Sequence, residues 1–141
     1  MSLGTDGLSL FEAARKAKIP FTKEVVPEDK ELIINDLRFH YLDWGNHSKQ
    51  TVLLLHGGAQ QAHSWDFIAL SLSDSYHVLS LDARGHGDSQ WATDGDYSIE
   101  AHQRDVDGFI AALKLDGPVL VGHSMGGTTS YVFASRNPDK V

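Results

Sequence analysis

The sequence predicts an α/β fold: a mostly parallel sheet with helices on both faces. Three observations carry that expectation. From Thr51 to Arg136, short apolar runs alternate with helix-patterned stretches, the order that builds parallel strands joined by helical crossovers. The run Thr51-Val-Leu-Leu-Leu55 is almost continuously apolar, as strands covered on both faces are. A Gly-x-Ser-x-Gly turn, Gly122–Gly126, follows the apolar run Val119–Val121 and precedes a helical stretch.

Residues 1–22 read as an N-terminal extension. Leu8, Phe11, Ala14 and Ala17 could line one face of a short helix bracketed by Gly4, Gly7 and Pro20. Val26-Pro27-Glu28-Asp29-Lys30 reads as a charged turn. The domain proper, residues 23–141, opens with a hairpin. Leu32–Ile34 and Leu37–Trp44 are joined by Asn35-Asp36, a dipeptide suited to a two-residue turn. Leu37, Phe39 and Tyr41 alternate with Arg38 and His40, which predicts one buried face.

After the strand at 51–55, a helix is expected around Ser64–Leu72, then a strand at His77–Asp82 and a glycine-rich loop at Arg84–Ser89. Ser98 suits an N-cap, with Glu100 in the first turn of a helix reaching about Leu115. Ile99, His102, Val106, Phe109, Ile110 and Leu113 fall on its apolar stripe. Gly117-Pro118 ends that helix and opens the strand Val119–Val121. A last helix, about Met125–Arg136, stops before Pro138.

Composition bounds the function. The 141 residues are 41% hydrophobic and 22% charged, with a net charge of −7. That suits one soluble domain and argues against nucleic acid or an anionic membrane as partner. No run approaches the ~18 apolar residues of a membrane span. Arg15, Lys16 and Lys18 follow the apolar Leu8–Phe11 patch instead of preceding it, so no secretory leader is read and a cytoplasmic setting is expected. Absence of cysteine excludes disulfides, thiolate metal sites and a cysteine nucleophile. Neither a metal nor another cofactor is expected, since no His-Glu-x-x-His helix or carboxylate cluster is visible in the sequence. The first parallel strand runs into Gly57-Gly58-Ala59-Gln60-Gln61, without the glycine spacing of a dinucleotide site. The expected partner is a small-molecule substrate, and nothing sets the oligomeric state.

The chemistry concentrates at Ser124. A serine hydroxyl is a poor nucleophile unless it is exposed, aimed and deprotonated by a base. A sharp strand-to-helix bend supplies the first two, and Gly122 and Gly126 stand where side chains would collide in it. Attack on a carbonyl develops negative charge on oxygen, which backbone N–H donors stabilise. Met125, first in the following helix, is one such donor. The loop His56-Gly57-Gly58-Ala59 supplies the second, with Gly58 the first choice and Ala59 behind it. A simple connector role for Gly57-Gly58 is the weaker reading, because the serine bend occurs in the same chain.

Three motifs, His56-Gly57-Gly58, Asp82–Ser89 and Gly122–Gly127, resemble in order and spacing the α/β-hydrolase fold superfamily. The similarity is greatest to its small serine esterases, lactonases and carbon–carbon bond hydrolases. Residues 31–141 match the N-terminal half of that fold, ending after the helix that follows the nucleophile. The resemblance implies Ser124 as nucleophile, Gly58 and Met125 as oxyanion hole, and Asp82–Ser89 as a structural loop beside the rim. It implies hydrolysis of a small carboxylic ester or lactone through an acyl-enzyme. Carbon–carbon bond cleavage, perhydrolysis and cyanohydrin cleavage use the same serine, and an inactive binding protein or fragment is the non-enzymatic alternative. Haloalkane dehalogenases and epoxide hydrolases of this fold place aspartate where Ser124 stands.

The pattern also predicts a triad completed downstream, by Asp or Glu and then His. After Ser124 this chain has Asp139 as its sole carboxylate and no histidine. The triad partners and the cap insertion are therefore expected beyond Val141. Of the histidines present, His56, His86, His102 and His123 read as packing or scaffold residues, and His63 is the least easily dismissed as a base. An uncovered sheet edge, with self-association or poor solubility, is expected of the 141 residues alone.

Overall fold

Asn35 and Asp36 both have positive φ, 51° and 62°, the two-residue geometry whose twist matches that of paired strands. They join β1 (Glu28–Ile34) to β2 (Leu37–Asp43) in an antiparallel pair. The computed structural model describes residues 9–141; Gly4, Gly7 and Leu8 lie outside them. In chain order, α1 (Leu10–Lys16) precedes the hairpin, and β3 (Thr51–Leu55) follows it. A 3-10 turn (Ala62–Trp65) leads into α2 (Asp66–Leu72), then β4 (His77–Leu81) and α3 (Ile99–Ala112). β5 (Val119–Gly122) and α4 (Met125–Arg136) complete the chain.

The sheet order is β1-β2-β4-β3-β5. β3 pairs parallel with β4 and β5, while β2 pairs antiparallel with β4. Helices cover both faces. On one, Val106, Phe109 and Ile110 of α3 and Phe133 of α4 pack with Phe39, Leu53, Leu55 and Leu79. On the other, Ala14 of α1 and Ala69 and Leu70 of α2 pack with Leu42, Val52, Leu54 and Val78. β3 is buried on both faces, as its apolar run predicts. Among the described residues, no helix is long and apolar enough to cross a membrane.

Four expectations are corrected. Glu28–Lys30 are not a turn but the start of β1, because Lys30 pairs with Tyr41 in register and its ammonium reaches Asp43 at 2.8 Å. The helix expected at 64–72 begins as a 3-10 turn at Ala62, whose N–H is taken by the Asp82 carboxylate. β2 buries both faces from Phe39 onward, so His40 is interior. Ile99 is 44% exposed and outside the α3 stripe, and α3 ends at Ala112. Ser98 does cap α3, accepting the Ala101 N–H. In the N-terminal segment, Ala14 is fully buried while Ala17, the cap residue after α1, is exposed.

Candidate active site

β5 stops at Gly122 and α4 starts at Met125, so His123 and Ser124 make the whole bend. Ser124 adopts φ 52°, ψ −115°, a sparsely populated conformation for a residue with a side chain. Its side chain is exposed and makes no capping bond to α4. The bend is fastened by main-chain bonds: His123 N–H to the Leu55 carbonyl at 3.1 Å, and Gly126 N–H to the His123 carbonyl at 3.0 Å. A Cβ on Gly122 would strike the Gly126 carbonyl, and one on Gly126 would strike the Leu55 carbonyl. Those two glycines are what lets β3, β5 and α4 close on one another.

The loop after β3 docks against this bend. Gln60 N–H bonds the Gly57 carbonyl at 3.2 Å, closing a turn with Ala59 at φ 59°. The Gln60 side-chain oxygen accepts from Gly57 N–H at 2.9 Å and pairs with His123 Nδ1 at 3.2 Å. A Cβ on Gly57 would lie 2.9 Å from His123 Nδ1 and 3.3 Å from Ser124 Cβ, whereas Gly58 has nothing within 4 Å of that position. Gly57 thus permits the docking, and Gly58 stands open. Among the described residues, no group accepts the amides of Gly58, Ala59 or Met125. Ser124 is thus exposed next to the Gly57 loop, in a site whose free main-chain amides are of the kind that can stabilise negative charge developing on oxygen.

Beneath it lies a polar scaffold. His56 donates from Nδ1 to the Gly57 carbonyl at 2.8 Å and accepts the Ala83 N–H at Nε2, 3.0 Å away. Those partners fix a neutral ring, and burial lowers its pKa in the same sense. The His86 ring packs 5.1 Å from it and bonds the Arg84 carbonyl. The buried Asp82 carboxylate accepts the amides of Ala62 and Asp88 and meets His40 Nδ1 at 2.7 Å. Asp29 takes the other ring nitrogen of His40 at 2.7 Å. Burial opposes charge on His40, but the two carboxylates outweigh it and raise its pKa. Arg84 clamps Asp105 of α3 through Nε and Nη2 at 2.6 and 2.7 Å. The cavity between His56, His102, Met125 and Thr129, about 20 Å3, has room for about one water and not for a substrate.

The remaining histidines bond elsewhere or are interior. His123 is tied to Gln60, and His63 is paired with Asp66 at 2.9 Å. Burial pushes the Asp66 carboxyl up despite that partner. His102 is buried on α3, where burial lowers its pKa. Sequence reasoning did not single out Gln60, His40 or the Arg84–Asp105 clamp. His40 acts through Asp29 and Asp82, and Gln60 joins the local Gly57 amide to the distant His123, so no local signal marks either role.

Comparison with known proteins agrees with this fold. A family model described as alpha/beta hydrolase fold matches residues 50–141. An esterase of Mycobacterium tuberculosis is 37% identical over 100 residues, covering 71% of this chain and 33% of the relative. Epoxide hydrolase 3 of Xenopus tropicalis is 36% identical over 106 residues, covering 74% of this chain and 29% of the relative. The crystal structure of a membrane phospholipase A, a bacterial virulence factor, superposes with a TM-score of 0.79 at 31% identity. It covers 82% of this chain and 37% of that one. The chain thus spans about a third of the length of the relatives it matches.

Proposed function

Because the chain belongs to the α/β-hydrolase fold family, we propose that it carries the nucleophile and oxyanion hole of a serine hydrolase acting on a small carboxylic ester or lactone. The observation that carries this reading is the strained, exposed Ser124 at the β5–α4 bend. Ser124 Oγ attacks the carbonyl carbon while a base takes its proton. The C=O electron pair moves to oxygen, facing the amides of Met125 and Gly58, with Ala59 the alternative second donor. Collapse breaks the C–O bond as the protonated base returns its proton to the alkoxide; the alcohol departs from an ester or stays tethered to the acyl group of an opened lactone, and the acyl group stays on Ser124 until water releases it as the acid. The histidine base and its carboxylate partner are supplied by residues beyond Val141.

The relatives include both an esterase and epoxide hydrolases, and the nucleophile's chemistry chooses between them. A serine alkoxide that opened an epoxide would form an ether, which has no carbonyl for water to attack. The enzyme would be alkylated once and stop. Acyl transfer to the same oxygen gives an ester, which turns over. Replacing Ser124 with Ala in the full-length protein should lower ester kcat by a factor on the order of 10⁶. Undiminished turnover would refute the assignment.

A further inference from the structure

The parallel strands β3 and β4 begin together at Thr51 and His77 and end together at Leu55 and Leu81. The Ser124 bend is bonded to Leu55, at the ending edge. At the starting edge a second polar cluster is assembled from three separate pieces of chain. Asp43 closes β2, His47 lies in the loop to β3, and His77 opens β4. His77 Nε2 lies 3.0 Å from Asp43 Oδ1, and His47 Nε2 lies 3.1 Å from Asp43 Oδ2. We propose that Asp43, His47 and His77 bind one divalent transition-metal ion of the zinc class, at a site distinct from Ser124.

The donor set selects the ion. Two imidazoles and one carboxylate suit zinc and its late first-row neighbours, and are a poor match for calcium or magnesium, which prefer all-oxygen shells. The spacing is close to what such an ion needs. Tetrahedral bonds of about 2.0–2.1 Å put neighbouring ligand atoms roughly 3.3 Å apart, and all three ligand atoms here lie within 4.8 Å of one another.

Loading the site needs a change of tautomer and displacement of the Lys30 ammonium from Asp43. In place of Nε2–H donation to Asp43, each neutral ring holds its proton on Nδ1 and gives the Nε2 lone pair to the metal. His77 Nδ1–H then has Thr51 Oγ1 as acceptor, 3.3 Å away, the kind of outer bond that orients ligating histidines. His77 and Asp43 are buried, whereas His47 is 62% exposed along its side chain. A surface groove runs past His47, His77 and Thr51 and gives an ion access. One group opposes it: the Lys30 ammonium lies 2.8 Å from Asp43 Oδ2. That side chain is a third exposed, and Glu28 at 3.6 Å gives it another partner.

The test is calorimetric titration of the metal-free intact protein with zinc chloride. Wild type should take up one equivalent at this site. His47→Ala, a surface change that leaves the core untouched, should lose it, with an affinity drop exceeding the 10–100-fold typical of losing an outer-shell partner. His63→Ala, which breaks the separate His63–Asp66 pair, should leave uptake unchanged, and Lys30→Met should tighten it. No uptake by wild type, or equal uptake by His47→Ala, overturns the proposal.

Discussion

At Ser124 the backbone is held at φ 52°, ψ −115°, a distortion that costs of order 1–3 kcal/mol and persists only where the surroundings enforce it. The enforcing groups are glycines. Gly126→Ala would drive a methyl into the main-chain carbonyls of Leu55 and His56, and no rotamer change relieves a backbone collision. The expected loss of stability is about 3 kcal/mol or more, read from the urea midpoint. Gly58→Ala meets open space and should change stability by less than about 1 kcal/mol. At this scale the sequence was legible where a short motif marks the bend: Gly122, Ser124 and Gly126 lie within a few residues of it, although the collision that Gly126 avoids is with Leu55 and His56 of the β3 end. It was not legible at Gln60, nor in the contact of Gly57 with His123 and Ser124, because those partners lie far away in the chain.

Elements with strong local signals were read correctly in kind: β3 from its apolar run, α3 from its cap and the stripe apart from Ile99, the hairpin from Asn35-Asp36. The start of β1 was misread because Glu28, Asp29 and Lys30 look like a solvated turn; their partners are on β2 and cannot be seen locally. His40 is the most consequential of the residues this hid. It links β1, β2 and the loop after β4 through Asp29 and Asp82. Its pKa in the folded state is raised above the ordinary value of about 6.5. The stabilisation from the charged ring is therefore full below about pH 6.5 and is lost as pH rises through the higher folded-state pKa. Denaturant titrations of wild type and His40→Gln should diverge most at the acidic side of that window and converge above it. A wild-type advantage that grows with pH would contradict this linkage.

For the whole molecule, the topology places two loops together at one edge of the sheet. The β3 loop brings the unpaired amides of Gly58 and Ala59, and the β5–α4 bend brings Ser124 and Met125. β5 is the last strand in the order, and Val119 and Tyr131 beside its outer edge are 48% and 67% exposed. The chain covers about a third of its relatives' length, and its histidines are engaged in scaffolding or buried instead of being bonded to the Ser124 hydroxyl. Sequence order gave access to this arrangement of loops because the motifs are collinear with the strands that display them. The most direct measurement is peptide mapping by mass spectrometry after treating the intact protein with a fluorophosphonate. A single phosphonyl adduct on the hydroxyl of Ser124 is expected. An adduct elsewhere, or none while ester turnover continues, would contradict it.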